Sequence, residues 1–446
     1  MISGKRYIYN NSNSDVVDLY NTKLFDQMFK EDKVLMSKVS KPQSKNESYK
    51  MVDSYYYNVT DKYANELNRL WDIRLNKYIF YSEDEIDTFT LRRNINTISD
   101  KYMTNLSIYI NSLNILPYKI GNGFCDMWSI LSNIPELIPN VTTFNAFHSG
   151  ELPGNFILAI ERFIKNNHKN IKYDWLAQGL NPDKKENKEK YGNYFENIYG
   201  DDFKLVENNK HRWLWGIDNT GDINSIDNIK WYDNYINKFL GTRKLDLNLV
   251  TCDAEYVGSY DTMQHLDFAQ MLQILATSRK GCNCILGIWA THIRKNDKST
   301  KSNGFYLNII QTIANHYEYI YLIKPVSAPG TKFYLVGINC KDNIDMDKYY
   351  NLYNKLYKSS DIINKCWIKK EDINKDLKNK YINFLETIYK DAVERSHRRL
   401  ILLFCYDDIF KTKYKKVKCS ELLNINNTMK KYETIFKKWV KKYKIY

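Results

Sequence analysis

The sequence has few of the residues that interrupt or cross-link a chain. Among its 446 residues are 17 Gly, 8 Pro and 8 Cys. The cysteines follow no disulfide-rich pattern, which favours a reducing, intracellular setting. No run of about 18 uncharged apolar residues occurs, so no transmembrane helix is predicted. The first residues, MISGKRYIYNNSNSD, lack the apolar segment of a secretory signal peptide.

Two cysteines, Cys282 and Cys284, lie close together in the sequence. Their spacing is too short for a C-x-x-C zinc site, and no histidine cluster accompanies them. We interpret them as apolar strand residues, and no metal site is predicted.

Basic residues are in excess, but they are unevenly distributed. The chain has 66 Lys and Arg against 52 Asp and Glu, a net charge of +14. The last 36 residues, Lys411 to Tyr446, carry +10 of this, and the other 410 residues carry +4. Codon bias in an AT-rich genome would explain part of the lysine content. A local cluster is therefore a better indication of a polyanionic partner than the total charge.

Apolar residues make up 43% of the chain, enough for a sizeable core, so global disorder is excluded. The pattern of apolar residues divides the sequence into three regions. Residues 1–118 are predicted to be helical, residues 119–345 alternate strands with helices, and residues 346–446 are helical again, ending in the basic tail 411–446.

The first region shows helical periodicity in Asn58–Leu75 and Ile98–Ile115, but nothing with the spacing of a catalytic site. It is interpreted as an appendage that packs on the core, with partner or RNA binding as the alternative.

The middle region predicts an α/β fold, a Rossmann-like and mostly parallel sheet of seven strands. The predicted strands are Phe144–Ser149, Ile171–Ala177, Trp213–Ile217, Leu247–Cys252, Cys284–Trp289, Tyr319–Ile323 and Phe333–Ile338. The predicted helices between them are Asn155–Asn167, Ile223–Phe239, Gln264–Ser278 and Phe305–His316. A short turn from Pro325 to Gly330 joins the last two strands, which requires an antiparallel pair. Many S-adenosylmethionine methyltransferases have this layout. The segment Lys184–Gly200 is interpreted as a polar insertion.

The segment Met429–Tyr443 predicts an amphipathic basic helix. Its apolar stripe is Met429, Tyr432, Phe436, Trp439 or Val440, and Tyr443. Three interpretations are open: docking on the core with solvated lysines, contact with a phosphate backbone, and, least favoured, binding to a membrane surface.

Three polar turns follow predicted strands. The first, Glu151-Leu152-Pro153-Gly154-Asn155-Phe156, combines an acid with a glycine turn into a helix, which suits a nucleoside ligand. In the second, Asp218 and Asp222 flank Gly221, with Asp222 as helix N-cap as the alternative. In the third, Asp253 ends an apolar strand. Open α/β sheets bind ligands at the carboxyl ends of their strands, so three such turns indicate one site.

The order of these motifs resembles the FtsJ-like ribose 2′-O-methyltransferase family, in particular the branch encoded by large cytoplasmic DNA viruses. The matching pieces are F-C-D-M-W-S-I-L, E-L-P-G-N-F-I-L-A-I, D-N-T-G-D-I, V-T-C-D, G-C-N-C-I-L and K-P-V-S-A-P, between Phe124 and Cys340. The resemblance implies a methyltransferase that uses S-adenosylmethionine. By this resemblance the cofactor-binding residues are Glu151, Pro153, Gly154, Phe156, Asp218, Asp222 and Asp253.

The family's catalytic Lys-Asp-Lys-Glu tetrad is largely substituted in this sequence. By position, its first Lys corresponds to Asp126, its second Lys to Gly287 and its Glu to Lys332, one residue short. The family's Arg near that Glu corresponds to Ala328. Asp253 is retained as the catalytic aspartate. Gly287 is the gravest substitution, because glycine has no side chain that could donate, accept or orient.

Two functions follow from this resemblance and stay open at this point. One is an active methyltransferase of the ribose 2′-hydroxyl near a viral mRNA cap, with RNA bound through the basic tail. The other is a catalytically silent subunit that binds RNA or stimulates a capping enzyme, for which the poxvirus capping-enzyme small subunit is a precedent. Both imply a location in the host cytoplasm (a viral factory) or the virion, without a membrane partner.

Overall fold

The computed structural model describes residues 34–45, 51–53, 66–67, 106–191, 204–243, 246–255, 263–289, 303–357, 362, 365–406 and 425–445. Of the predicted helix Asn58–Leu75 only residues 66–67 are among them. Residues 411–424 of the basic tail lie outside the described residues.

The described residues form one eight-stranded sheet and a separate two-stranded one. The strands are β1 (Leu35–Val39), β2 (Val52–Asp53), β3 (Thr143–Ser149), β4 (Lys172–Gln178), β5 (Trp213–Leu214), β6 (Leu249–Cys252), β7 (Asn283–Trp289), β8 (Tyr317–Lys324), β9 (Lys332–Cys340) and β10 (Lys365–Cys366). The large sheet has the order β5-β4-β3-β6-β7-β9-β8-β1, and β2 pairs with β10. The strands β5, β4, β3, β6 and β7 are parallel, whereas β9 is antiparallel to both β7 and β8. The fold is therefore an α/β Rossmann-like methyltransferase fold.

The helices in chain order are α1 (Leu106–Ser112), α2 (Asn122–Asn133), α3 (Asn155–Asn167), α4 (Lys185–Tyr191), α5 (Leu205–Asn208), α6 (Ile226–Arg243), α7 (Met263–Thr277), α8 (Asn303–Ala314), α9 (Asp347–Tyr357), α10 (Lys375–Tyr406) and α11 (Ile425–Tyr443). The four helices predicted between the strands correspond to α3, α6, α7 and α8, with ends shifted by a few residues at most. They form because their apolar residues recur at helical spacing.

The predicted seven strands and the antiparallel hairpin are all present, although β5 covers only Trp213–Leu214 of the predicted Trp213–Ile217. The large sheet also has one strand more. β1 lies in the region predicted to be helical and pairs antiparallel with β8, Leu35 opposite Lys324 and Val39 opposite Ile320. Its sequence L-M-S-K-V has only five residues and does not alternate apolar with polar residues, so the local pattern did not indicate a strand. The prediction of seven strands is corrected to eight.

The sheet has an apolar core on each face. One core packs β-strand side chains against α6, α7, α8, α9 and α10, and includes Phe268, Tyr306 and Trp367. The other packs the opposite faces of the strands against α1, α2, α3 and α11. Helices on both faces explain why the strands read as nearly continuous apolar runs.

The basic C-terminal helix α11 docks on the core through its apolar stripe, as the first of the three interpretations predicts. Tyr432, Phe436 and Trp439 are buried in the second core, and Trp128 on α2 donates its indole N–H to the carbonyl oxygen of Tyr443 at 2.9 Å. The lysines of this segment that the structure shows as exposed are Lys430, Lys437, Lys438, Lys441, Lys442 and Lys444. In the part of the chain that the structure describes, no helix is long and apolar enough to cross a membrane.

Candidate active site

The three polar turns meet at the carboxyl edge of the parallel strands. The chain leaves β3 toward β4 on one side and returns to β6 on the other. Open α/β sheets bind ligands in a crevice at such a reversal of strand order, here at the carboxyl end of β3. The backbone N–H of Asp253 donates to the carbonyl oxygen of Ser149 at 3.2 Å, and that of Glu151 to Gln178 at 3.1 Å. The predicted site residues after β3, β5 and β6 are thus brought to one edge of the sheet.

The Glu151 loop is built around the start of α3. Oε1 of the buried Glu151 accepts hydrogen bonds from the backbone N–H groups of Phe156, at 2.6 Å, and Ile157, at 3.3 Å. Gly154 has a φ of 114°, a conformation that favours glycine. Burial raises the pKa of Glu151 to about 8. One oxygen of this carboxyl therefore caps the helix, and Gly154 makes the turn into α3, where a Cβ would collide with the side chain of Leu205.

The second turn holds its two acids by local hydrogen bonds. Oδ1 of Asp218 accepts from the backbone N–H of Thr220 at 2.9 Å and from the side chain of Asn228 at 3.0 Å. Oδ1 of Asp222 accepts from the backbone N–H of Asn224 at 2.9 Å. Although burial would raise the pKa of Asp218, its hydrogen bonds outweigh that effect and lower it.

The alternative in which Asp222 is the N-cap of the following helix is wrong. That helix, α6, begins at Ile226, and Oγ of the preceding Ser225 accepts from the backbone N–H of Asn228 at 3.3 Å. Asp222 lies three residues before this cap and closes a turn of its own.

Gln178, at the end of β4, joins the first two turns and was not among the residues predicted from the sequence. Its Oε1 accepts from the hydroxyl of Ser149 at 2.6 Å and from the backbone N–H of Gly150 at 2.9 Å. Its Nε2 donates to the carbonyl oxygen of Gly221. The sequence feature that could have indicated it is its position directly after a predicted strand next to the Glu151 loop.

Asp253, at the end of β6, lies in an ion pair with Lys332 of β9. Nζ of Lys332 is 2.9 Å from Oδ1 of Asp253 and 3.3 Å from Oε1 of Glu255. The side chain of Lys332 is 4% exposed, that of Asp253 13% and that of Glu255 58%. Solvent therefore reaches the ion pair from the side of the two carboxylates.

Asp126 of α2 joins this cluster through Tyr334 of β9. The Tyr334 hydroxyl donates to Oδ2 of Asp126 at 2.8 Å and also lies 3.2 Å from Oδ2 of Asp253. Ser327 donates to the other oxygen of Asp126. Tyr334 was not among the residues predicted from the sequence, although strand alternation places residues 332 and 334 on one face.

Gly287 packs directly against the carboxylate of Asp253. A Cβ at position 287 would lie 2.0 Å from Oδ1 of Asp253 and 3.5 Å from the ring of Tyr334. The four positions that correspond to the family's tetrad, Asp126, Asp253, Gly287 and Lys332, therefore do converge in space.

The electrostatics of the cluster follow from burial and from its charges. Burial raises the pKa of Asp253 to about 6 although Lys332 acts in the opposite direction, and burial also raises that of Asp126. Burial alone would lower the pKa of Lys332, but Asp253, Glu255 and Asp126 outweigh it and raise it. At neutral pH the pair is thus an ammonium beside a carboxylate.

Lys324, a second lysine near the site, serves the hairpin turn. Its Nζ donates to the carbonyl oxygens of Ala328, at 3.0 Å, and Gly330, at 2.8 Å. Ala328, where the resemblance expects Arg, is buried at this turn. Within the described residues, no group of three or more His, Cys, Asp and Glu side chains could hold a metal ion.

Comparison with known proteins gives relatives that match parts of the chain. Protein L511 of Acanthamoeba polyphaga mimivirus is 28% identical over 274 residues, 57% of this chain and 32% of L511. The cap-specific mRNA (nucleoside-2′-O-)-methyltransferase 2 of Pongo abelii is 30% identical over 143 residues, 31% of this chain and 16% of that protein. The "Probable methyltransferase EP424R" of African swine fever virus is 30% identical over 244 residues, 49% of each chain. This chain is related to the FtsJ-like 2′-O-methyltransferases.

The relationship to the FtsJ-like 2′-O-methyltransferases confirms the resemblance found in the sequence motifs. The chain covers about half or less of the length of these relatives. No protein-family model matches it. The comparisons support a methyltransferase, and the fold agrees with that.

Proposed function

We propose that the chain is an S-adenosylmethionine-dependent methyltransferase that acts on the ribose 2′-hydroxyl of RNA, near an mRNA cap. The observation that carries this proposal is the carboxylate of Asp253, which ends β6 beside the reversal of strand order and is paired with a buried lysine. Relatives named for cap-specific 2′-O-methylation and for methyltransferase activity support the reaction type.

The residues at the crevice fit the cofactor that the resemblance implies. All hydrogen bonds that the structure shows for the carboxylates of Asp218 and Asp222 use Oδ1, which leaves Oδ2 of each for ribose hydroxyls or amino groups. Ile217, 65% exposed, offers apolar surface for a base beside Asp218. The turn at Pro153 and Gly154 lets backbone approach the ligand. When bound, S-adenosylmethionine supplies a methyl group on a sulfonium centre.

We propose that the lysine face of α11 contacts RNA phosphates. Six lysines from Lys430 to Lys444 are exposed while the opposite face of the helix is buried. Because the stripe already docks on α1 and α2, the lysines are held on the same molecule as the crevice. Clustered lysines of this kind bind phosphate backbones through charge.

A second candidate function, a catalytically silent subunit that binds RNA or stimulates a capping enzyme, is favoured by Gly287 and Asp126. Both stand where the family has lysine, and Gly287 cannot contribute a functional group. In this case the crevice would bind a nucleoside ligand without transfer of a methyl group.

The two candidates are distinguished by methyl transfer from radiolabelled S-adenosylmethionine to capped RNA. We expect transfer by the wild-type chain, its loss in Asp253→Ala and its retention in Asp376→Ala, which removes an exposed carboxylate on α10. Binding of S-adenosylhomocysteine by calorimetry without any transfer would support the silent subunit. If the chain neither binds S-adenosylhomocysteine nor transfers a methyl group, the enzyme proposal is overturned.

A further inference from the structure

The active site contains a lysine at a position different from that of the family. On β7 the position of the family's second lysine is Gly287, which is paired with Tyr334 on the neighbouring strand β9. Lys332 lies two residues from Tyr334 on β9, opposite Trp289. Side chains two residues apart on a strand share a face, and diagonal neighbours on adjacent strands lie about 7–8 Å apart, within reach of a lysine.

The cluster is arranged so that the Lys332 ammonium occupies the neighbourhood of the missing side chain. Asp253 rests against Gly287, where a Cβ would come within 2.0 Å of Oδ1, and Lys332 approaches the same carboxylate at 2.9 and 3.0 Å. The backbone N–H of Lys332 donates to the carbonyl oxygen of Pro329 at 2.9 Å, which anchors the start of β9. The rings of Trp289 and Tyr334 lie 5.7 and 5.5 Å from Nζ.

We propose that Lys332 is a relocated catalytic lysine, supplied by β9 in place of β7, that acts with Asp253 on the hydroxyl to be methylated. This inference rests on the proposed function. Its ammonium orients the hydroxyl oxygen and stabilises the negative charge that develops there, and Asp253 accepts the hydroxyl proton. The new O–CH₃ bond forms as the S–CH₃ bond breaks, and the electron pair of the broken bond remains on sulfur.

The charges of the cluster suit this division of roles. The three neighbouring carboxyl groups keep Lys332 protonated, so it is a donor and not a base. Asp253, with a pKa of about 6, is ionised at neutral pH and can accept a proton. Glu255, 58% exposed, lies on the solvent side of the pair, where an incoming hydroxyl would take its place as the second partner of Nζ.

Three variants test this inference: Lys332→Met, Lys332→Arg and the control Lys172→Met. Lys172 is exposed at the amino end of β4, the opposite end of that strand from the site. Steady-state transfer to capped RNA gives kcat and KM, calorimetry gives the affinity for S-adenosylhomocysteine, and thermal unfolding reports folding. We expect Lys332→Met to lower kcat about 10²- to 10³-fold, with KM for RNA and S-adenosylhomocysteine affinity within about threefold of wild type. Lys332→Arg keeps the positive charge and is expected to retain more activity than Lys332→Met.

The pH profile separates a catalytic role from a merely structural one. Lys332 lowers the pKa of Asp253. In Lys332→Met, the pH at which any remaining activity rises is therefore expected to be higher than in wild type. A kcat for Lys332→Met within about threefold of wild type overturns the relocated lysine and leaves the proposed function standing. Should Lys332→Met not fold, a kcat for Lys332→Arg as low as that of Asp253→Ala, with S-adenosylhomocysteine still bound, overturns it instead. Absence of transfer by the wild-type chain overturns the proposed function itself.

Discussion

Gly287 and Asp253 are in direct contact: the carboxylate of Asp253 occupies the space that a side chain at position 287 would need. A Cβ built on Gly287 would lie 2.0 Å from Oδ1 and 3.0 Å from Cγ of Asp253. The glycine is therefore an integral part of the site's geometry. It allows the carboxylate to turn toward Lys332 on the neighbouring strand.

We predict that Gly287→Ala lowers methyl transfer by about tenfold or more, because Asp253 must move away from Lys332. Gly287→Lys, which restores the residue type of the family, is expected to lower it as well. Gly241→Ala in α6 is the control, since a Cβ there meets nothing within 4 Å. Initial rates at saturating cofactor measure the effect, and a Gly287→Ala rate equal to that of Gly241→Ala would contradict the prediction.

Gln270 on α7 positions the segment that carries Asp253. Its Oε1 accepts from the backbone N–H of Ala254 at 2.8 Å. We predict that Gln270→Met lowers kcat about tenfold with little change in cofactor affinity, because an unpaired N–H loosens the segment. Gln273→Met is the matched control: both polar atoms of its buried side chain lack hydrogen-bond partners among the described residues. Equal kcat values in the two variants would refute the positioning role.

Glu151 makes the stability of the fold depend on pH. Burial raises its pKa from 4.5 to about 8, so its contribution to stability is full below about 4.5 and is lost as pH rises through about 8. We predict that the melting temperature of wild type falls more steeply between pH 5 and pH 9 than that of Glu151→Gln. Glu161→Gln, at an exposed position of α3, should follow wild type. Parallel curves for all three proteins would show that Glu151 does not titrate in this range.

The exposed lysines of the C-terminal segment predict a salt-dependent contribution to RNA binding. Replacing Lys441, Lys442 and Lys444 by Gln should weaken binding and reduce the slope of log Kd against log salt by about 2 for single-stranded RNA. The control replaces Lys238, Lys280 and Lys355, which are exposed and belong to or adjoin helices of the other face. If both triple variants have the same slope, the lysines of α11 are only a solvated surface.

The apolar stripe of α11 predicts that this helix stabilises the domain. Phe436 is 3% exposed and its ring lies 5.5 Å from that of Tyr109 on α1. Phe436→Ala is expected to cost about 3–5 kcal/mol of unfolding free energy. Thr434→Ala, on the exposed face, should cost far less. Urea denaturation compares the two, and similar midpoints would contradict docking through this stripe.

Much of the fold could be predicted because each strand and helix of the middle region has its own local pattern. The helix Asn155–Asn167 was predicted with both ends correct, and the short turn before β9 required an antiparallel pair. Strand β1 could not be predicted, since its pairing with β8 joins segments that lie nearly 300 residues apart. Such pairing depends on edge hydrogen bonds that leave no periodicity in five residues.

For the candidate site, the sequence located Asp253 and the substitutions at Asp126 and Gly287. It did not identify Tyr334 or Gln178, which are ordinary strand residues until their neighbours are known. It also matched Lys332 to the position of the family's Glu, and the structure adds that this lysine pairs with Asp253. The catalytic roles of all these residues stay predictions.

The sequence by itself determined the alternation of strands and helices, the acidic turns after strands and the concentration of lysine in the last residues, because each of these is a local property. Only the tertiary structure decided that Lys332 reaches the aspartate that Gly287 leaves room for. The reason is physical: Gly287 and Lys332 lie 45 residues apart in the chain, but their strands, β7 and β9, are adjacent in the sheet. The same applies to α11, whose stripe could be read locally while its place on α1 and α2 could not.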